Sequence, residues 1–178
     1  MAKKNLKDAG IIFLLAILLL SCEQRTAKQF LDTIDQQERI ANDILLGEKG
    51  SESRKLEHII NNNFDSALQI TAKQQMEFDS IIRHIQDLPT ANLKDAQALQ
   101  TASVQYYQVL KNLYGYAEQE IEQQKILWNA SGNEQSKAQD KLMELTQHKQ
   151  TLYQSVYRAD SVFSAAKGQF ARQHKLSR

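Results

Sequence analysis

The sequence predicts an all-α protein, an up-down antiparallel bundle of four helices with a shorter first helix and three long ones. Three observations carry that prediction. Six Gly and one Pro in 178 residues leave too few turns for an all-β fold, which needs one every 8–12 residues. The chain is rich in Gln (22 of them), Ala, Leu, Lys and Glu, most of them good helix formers. Its apolar residues recur alternately three and four apart, the spacing of left-handed bundle packing.

The first stripe is Ala27, Phe30, Leu31, Ile34, Ala41, Ile44 and Leu45. Gly47 and Gly50 flank the expected first turn, with Ser51 or Ser53 as the next N-cap. The second stripe runs from Leu56, Ile59, Ile60 and Phe64 through Ala67, Leu68 and Thr71 to Phe78, Ile81, Ile82 and Ile85. Leu88-Pro89 ends it, because the residue before Pro disfavours the α region. Thr90 or Asn92 is the expected cap of a third helix, with Ala96, Leu99, Ser103, Tyr106, Leu110, Leu113, Ala117, Ile121, Gln124 and Leu127 inward. Ala130-Ser131-Gly132-Asn133 reads as the third turn. The fourth stripe is Ala138, Leu142, Leu145, Lys149, Leu152, Val156, Ala159, Phe163, Ala166 and Phe170.

Tight helical hairpins then predict a register. Leu99 faces Phe163, Tyr106 faces Val156, and Phe78 faces Ser103. The first helix is expected along the start of the second, Ile34 against Phe64 and Ala27 against Thr71. That leaves a three-helix end at Leu88-Pro89, expected to face a membrane.

A length of 178 residues, against about 150 per domain, favours one domain. The balance of 22 basic against 21 acidic residues argues against a nucleic-acid binder, which carries a basic excess. A lone Cys excludes an internal disulfide and a Cys-based zinc cluster.

The averages conceal two unlike segments. Lys3, Lys4 and Lys7 precede ten unbroken apolar residues, Ile11 to Leu20. Ten helical residues span about 15 Å, half of a bilayer core of about 30 Å, so this is read as a secretory leader. Its end, Leu19-Leu20-Ser21-Cys22, resembles the lipobox of bacterial lipoproteins. The resemblance implies recognition through Leu19, Leu20 and Ser21, cleavage before Cys22, and a diacylglyceryl group on the Cys22 thiol. Residues 1–21 would be removed, 22–26 would form a lipidated tether, and 27–178 the bundle. The leader holds three Lys and one Asp, so 19 basic and 20 acidic residues remain, net −1. Glu23 follows the Cys where some systems place a retention Asp; the expected address is the outer membrane, facing the periplasm.

The mature chain resembles small helical lipoproteins of Bacteroidota and spirochaetes. The shared features are the lipobox, the Leu88-Pro89 break, Tyr106-Tyr107 and the basic tail after Phe170-Ala171. That family implies no catalytic residues. Leu145-Thr146-Gln147-His148-Lys149-Gln150 is similar to the Leu-Thr-x-x-Gln motif of periplasmic stress chaperones, with Gln one position late.

Chemistry is sparse. None of His58, His84, His148 and His174 has Glu three residues before it, as a di-iron bundle needs. Glu144 and His148 lie four apart and read as a solvated pair or half of a ligand site. There is no phosphate loop and no catalytic set. No cofactor beyond the covalent lipid and no metal are expected. Lys167, Arg172, Lys175 and Arg178 are candidates for contact with anionic headgroups, or simply suit the helix dipole. Tyr107, Tyr114, Tyr116, Tyr153 and Tyr157 are candidates for a partner surface, or for a core-edge layer, with Tyr153 and Tyr157 opposite Tyr106 and Tyr107. Trp128 is read as a cap on the core end. The expected function is a membrane-anchored, non-enzymatic envelope module that is structural or binds protein. The alternatives are a periplasmic ligand- or metal-binding bundle and a stress chaperone.

Overall fold

A computed structural model describes the backbone over residues 3–47 and 50–176, and side chains over 23–47 and 50–176. Cys22, the lipobox residues Leu19, Leu20 and Ser21, and Arg178 lie outside the described side chains. The described chain is helical, with no strand. Its helices are α1 (Lys3–Leu46), α2 (Ser51–Ile60), α3 (Phe64–Gln86), α4 (Ala96–Gly115), α5 (Ala117–Asn129) and α6 (Asn133–Gln173). They pack as a helical bundle.

The first reversal is not where the glycines suggested. At Gly47–Gly50 the chain only breaks step. The Gly50 N–H donates to the Gly47 carbonyl, and Ser51 Oγ donates to the Ile44 carbonyl at 2.8 Å, so α2 starts beside the end of α1. A Cβ at Gly47 would meet the Asp43 carbonyl oxygen at 2.5 Å, which explains glycine there. The reversal comes at Asn61-Asn62-Asn63. Asn62 takes φ 57°, the left-handed region that Asn tolerates better than most residues. The Asn63 N–H reaches the His58 carbonyl and the Asn62 N–H the Ile59 carbonyl, a Schellman motif with Asn in the usual Gly place. Beyond it, Gln74 of α3 reaches Ser51 and Glu52 of α2.

Two consequences correct the sequence reading. The single second helix is two, α2 and α3, and α2 extends the first arm. The first helix packs at the Leu88-Pro89 end. Phe30 meets Phe170 at 5.3 Å between centroids, and Glu23 lies 3.7 Å from His174. His174 in turn touches the Lys94 carbonyl at 2.9 Å. The expected three-helix end therefore has α1 packed into it.

The next connection is longer than a tight turn. α4 begins at Ala96, after a left-handed Asp95 at φ 62°, so neither Thr90 nor Asn92 caps it. Buried Gln100 spreads its amide hydrogens over the Ile85, Gln86 and Leu88 carbonyls at 2.9–3.0 Å. It satisfies orphan acceptors at the end of α3. The longer loop shifts the α3–α4 register, so that Phe78 stacks on Tyr114; between α4 and α6 the register also differs, with Tyr106 stacked on Phe163.

The expected third helix is likewise two, α4 and α5, stepping at Gly115-Tyr116. Gln75 Nε2 donates to the Lys111 carbonyl at 3.1 Å, the acceptor that Gly115 would use in a straight helix. A Cβ on Gly115 would lie 2.7 Å from Gln75 Oε1. A side chain entering the helical ladder is an ordinary cause of a step. The third turn falls between Asn129 and Asn133, with Gly132 at φ 63° and ψ −130°, a conformation for glycine alone.

The core has two parts. The larger holds Phe30, Ile34, Phe78, Ile81, Leu99, Tyr107, Phe163 and Phe170, among others. The smaller holds Phe64, Ala67, Ala117 and Ile121, flanked by Ile59 and Leu68. Leu56 and Ile60, expected inward, are mostly exposed, because α2 turns its Ser51 and Lys55 face to the bundle.

Candidate functional site

Three groupings of side chains are candidates. The first joins α1 to α6. Lys167 falls four residues after Phe163 and three before Phe170, on the core stripe, and is buried. Its ammonium lies 2.5 Å from Asp35 Oδ1, pairs with Glu38, and sits 5.7 Å from the Phe163 ring centroid. A buried ammonium is costly unless paired, and here two carboxylates and a ring face serve it. Lys167 is thus not available to a membrane surface, a correction to the expected basic patch.

Tyr106 and Tyr107 complete this grouping against Phe163, at 5.3 and 6.2 Å between centroids. Tyr107 is fully buried, with its hydroxyl unpartnered. Tyr107 therefore leaves the expected partner surface. The inward stripe runs Leu99, Ser103, Tyr107, Leu110, one residue out of phase with the expectation at Tyr106. Burial pushes the Tyr106 phenol up to about 12, with help from Asp160 and Glu38. Burial raises Tyr107 further, again aided by Glu38.

The second grouping is a polar belt at the α1–α2 step. Fully buried Gln74 donates to Ser51 Oγ at 2.7 Å and Glu52 Oε1 at 2.9 Å, while its own Oε1 lacks a partner. Lys55 pairs with Glu52 at 2.6 Å and lies over the Tyr114 ring at 5.8 Å. Lys111 meets Asp79 at 2.6 Å. Beside the belt, α2, α5 and α6 enclose a groove of about 460 Å³ lined by Leu56, Ile59, Ile121, Glu120 and Lys149. Lys149, read as a core position, is half-buried and pairs with Glu120 at 2.6 Å.

The third is the outer face of α6. Tyr157 is 71% exposed and Tyr153 42%. The remaining expected tyrosines scatter. Tyr114 is half-buried against Phe78, and Tyr116 touches the His148 ring at 5.3 Å. The five do not form one surface. Trp128, expected as a cap, is 65% exposed. Glu144 pairs with Lys141 at 2.8 Å rather than with His148. Arg172 and Lys175 are exposed at the end of α6, where Lys175 holds the left-handed position (φ 53°) of a second Schellman motif.

The Lys167 clamp was the main grouping missed. Its signal was present, since a lysine between Phe163 and Phe170 cannot face water without leaving the stripe. Among the described residues no group of three or more His, Cys, Asp or Glu is placed to hold a metal ion. No described helix is long and apolar enough to cross a membrane. Compared with protein-family models, curated proteins and solved structures, the chain shows no match.

Proposed function

We propose that the chain is an exported lipoprotein, anchored through a diacylglyceryl group on Cys22 to the outer membrane and facing the periplasm. Its helical part works as a non-enzymatic structural or protein-binding module. The observation that carries this reading is Leu19-Leu20-Ser21-Cys22 after a basic, then apolar, leader. Two or three acyl chains, at about 0.8 kcal/mol per buried methylene, give stable anchoring where one is marginal.

The fold supports it in two ways. Packing begins at Ala27, five residues beyond Cys22, so a lipid there lies near the end formed by Glu23, His174 and Lys94. Exposed Arg172 and Lys175 sit at that same end, with Arg178 beyond, and suit anionic headgroups. We also infer an up-down-up-down course for four arms, 23–60, 64–86, 96–129 and 133–173. Its support is the pairing of Lys125 with Asp65, Lys149 with Glu120, and Lys94 with Gln173. Such a rod displays long faces to partners. Glu144 and His148 are both exposed and apart in their pairing, which weighs against the carrier alternative.

Mass spectrometry of the mature N-terminus tests the anchor. The expected result is an acylated Cys22 as first residue, with Cys22→Ala released from membranes. An unmodified Cys22, or cleavage elsewhere, overturns the reading. Binding of the unlipidated protein to anionic vesicles should weaken with salt and with neutralisation of Arg172, Lys175 and Arg178.

A further inference from the structure

The outer face of α6 carries a second heptad-like seam, opposite the one that packs into the bundle. Asp140, Met143, Gln147, Gln150, Gln154 and Tyr157 follow one another three or four apart, and all are exposed. The inward residues of the same helix are Ala138, Leu145, Ala159 and Phe163. A helix with seams on both sides has one partner inside the chain and room for another outside. The outer seam is uncharged from Met143 to Tyr157, so burying it needs no desolvation of ions.

Its ends are charged and unsatisfied. Among the described residues Asp140 has no base within ion-pair distance and Arg158, next to Tyr157, has no acid; its guanidinium donates to the Gln154 carbonyl of its own turn, at 3.3 Å. We propose that this face pairs with the same face of a second copy of the chain, antiparallel, about a two-fold axis between Gln147 and Gln150. The layers are then Gln147 on Gln150, Met143 on Gln154, and Tyr157 on Asp140, each occurring twice by symmetry. Asp140 of each copy receives the Tyr157 hydroxyl and the Arg158 guanidinium of the other. Glu144, on the same flank as Arg158, is already paired with Lys141 at 2.8 Å. A parallel pairing instead sets Asp140 on Asp140 and Arg158 on Arg158, which like-charge repulsion opposes. A different occupant would leave the match between the two charged ends of one seam without a reason.

The geometry has a consequence for placement. Antiparallel pairing puts the two Glu23–His174 ends at opposite ends of the dimer, roughly 70 Å apart at 1.5 Å per residue. Resting on the lipoprotein reading, a dimer with both anchors in the one outer membrane lies with its long axis along that membrane; the pairing itself does not depend on the lipid.

The test uses the full chain with Cys22→Ala, in detergent, so that failure of lipidation and failure of pairing are separate results. Light scattering should give a dimer, and Arg158→Glu should weaken self-association by roughly tenfold or more. Adding Asp140→Arg to Arg158→Glu should restore it. Single-thiol chains give the direction. Met143→Cys mixed with Gln154→Cys should cross-link as a hetero-pair, while neither cross-links alone. A monomer at submillimolar concentration overturns the proposal. So does a dimer indifferent to Arg158→Glu, or Met143→Cys cross-linking to itself. Circular dichroism of each variant checks that the helices remain.

Discussion

The two halves of the bundle are built from the same residue types and differ in how they close. At the Leu88-Pro89 end, α1, α3, α4 and α6 share one core, in which Phe30 packs on Phe170, Tyr106 on Phe163 and Phe78 on Tyr114. Even the charge in that core, Lys167, has two acids. At the far end, α2, α3, α5 and the start of α6 surround a smaller core of Phe64, Ala67, Ala117 and Ile121, with Ala138 and Leu145 also buried. Leu56, Ile60, Trp128 and Met143 remain exposed there. The belt of Ser51, Gln74, Lys55 and Gln75 stands between. Apolar burial scales with area removed from water, so the first half is the stable unit and the second leans on it. Periodicity alone does not distinguish them, because a stripe records which residues face inward but not how many neighbours they find.

Ways to break that contrast follow from the packing. Phe163→Ala should be the most damaging, at about 3–5 kcal/mol, and should lower the denaturant midpoint of the whole chain. Ile121→Ala should cost about 2–4 kcal/mol but act locally. Amide exchange should rise in α2 and α5 while α1 stays protected. Equal loss of protection in both halves would show a single cooperative unit instead.

Lys167→Met keeps the stem and removes the charge that Asp35 and Glu38 face. Leaving them unpaired should cost about 1–3 kcal/mol and speed exchange in α1. The triple variant with Asp35→Asn and Glu38→Gln should recover most of it. Gly115→Ala should change stability by no more than about 1 kcal/mol, because the helix propensity gained offsets the displacement of the flexible Gln75 amide; adding Gln75→Ala should make it stabilising.

The phenols sharpen the contrast at high pH. Tyr106 is raised from 10 to about 12, and Tyr107 further, so the folded state holds protons that the unfolded chain gives up. Their contribution is fully present below pH 10 and is lost as pH rises through about 12. Phenolate absorbance should show these two ionising only with unfolding. Tyr107→Phe should be the mildest change near neutrality, within about 0.5 kcal/mol, because the hydroxyl it deletes has no partner to lose. A large loss there would reveal an occupant for that hydroxyl.

Much of the architecture was legible in residue order. Helical class, the stop before Leu88-Pro89, the turn at Gly132 and most of the inward stripe follow from local rules: three-to-four spacing, proline's restriction of its neighbour, and glycine's access to positive φ. The first reversal was not legible as a turn, because Asn62 does what glycine usually does. The pair Gly47 and Gly50, the stronger local signal, marks only a step between α1 and α2. Side-chain partners were less legible still. Lys167 and Tyr107 looked like surface residues by type, and their burial depends on α1 lying against α6.

What residue order determined by itself is the helical class and the apolar faces, because both are properties of neighbouring residues. Tertiary structure alone decided which end of the rod α1 closes, which lysine is clamped and which tyrosines stay in water. Those outcomes depend on register between helices far apart in the chain, and register is set by whole interfaces, down to the length of the Asp87–Asp95 loop.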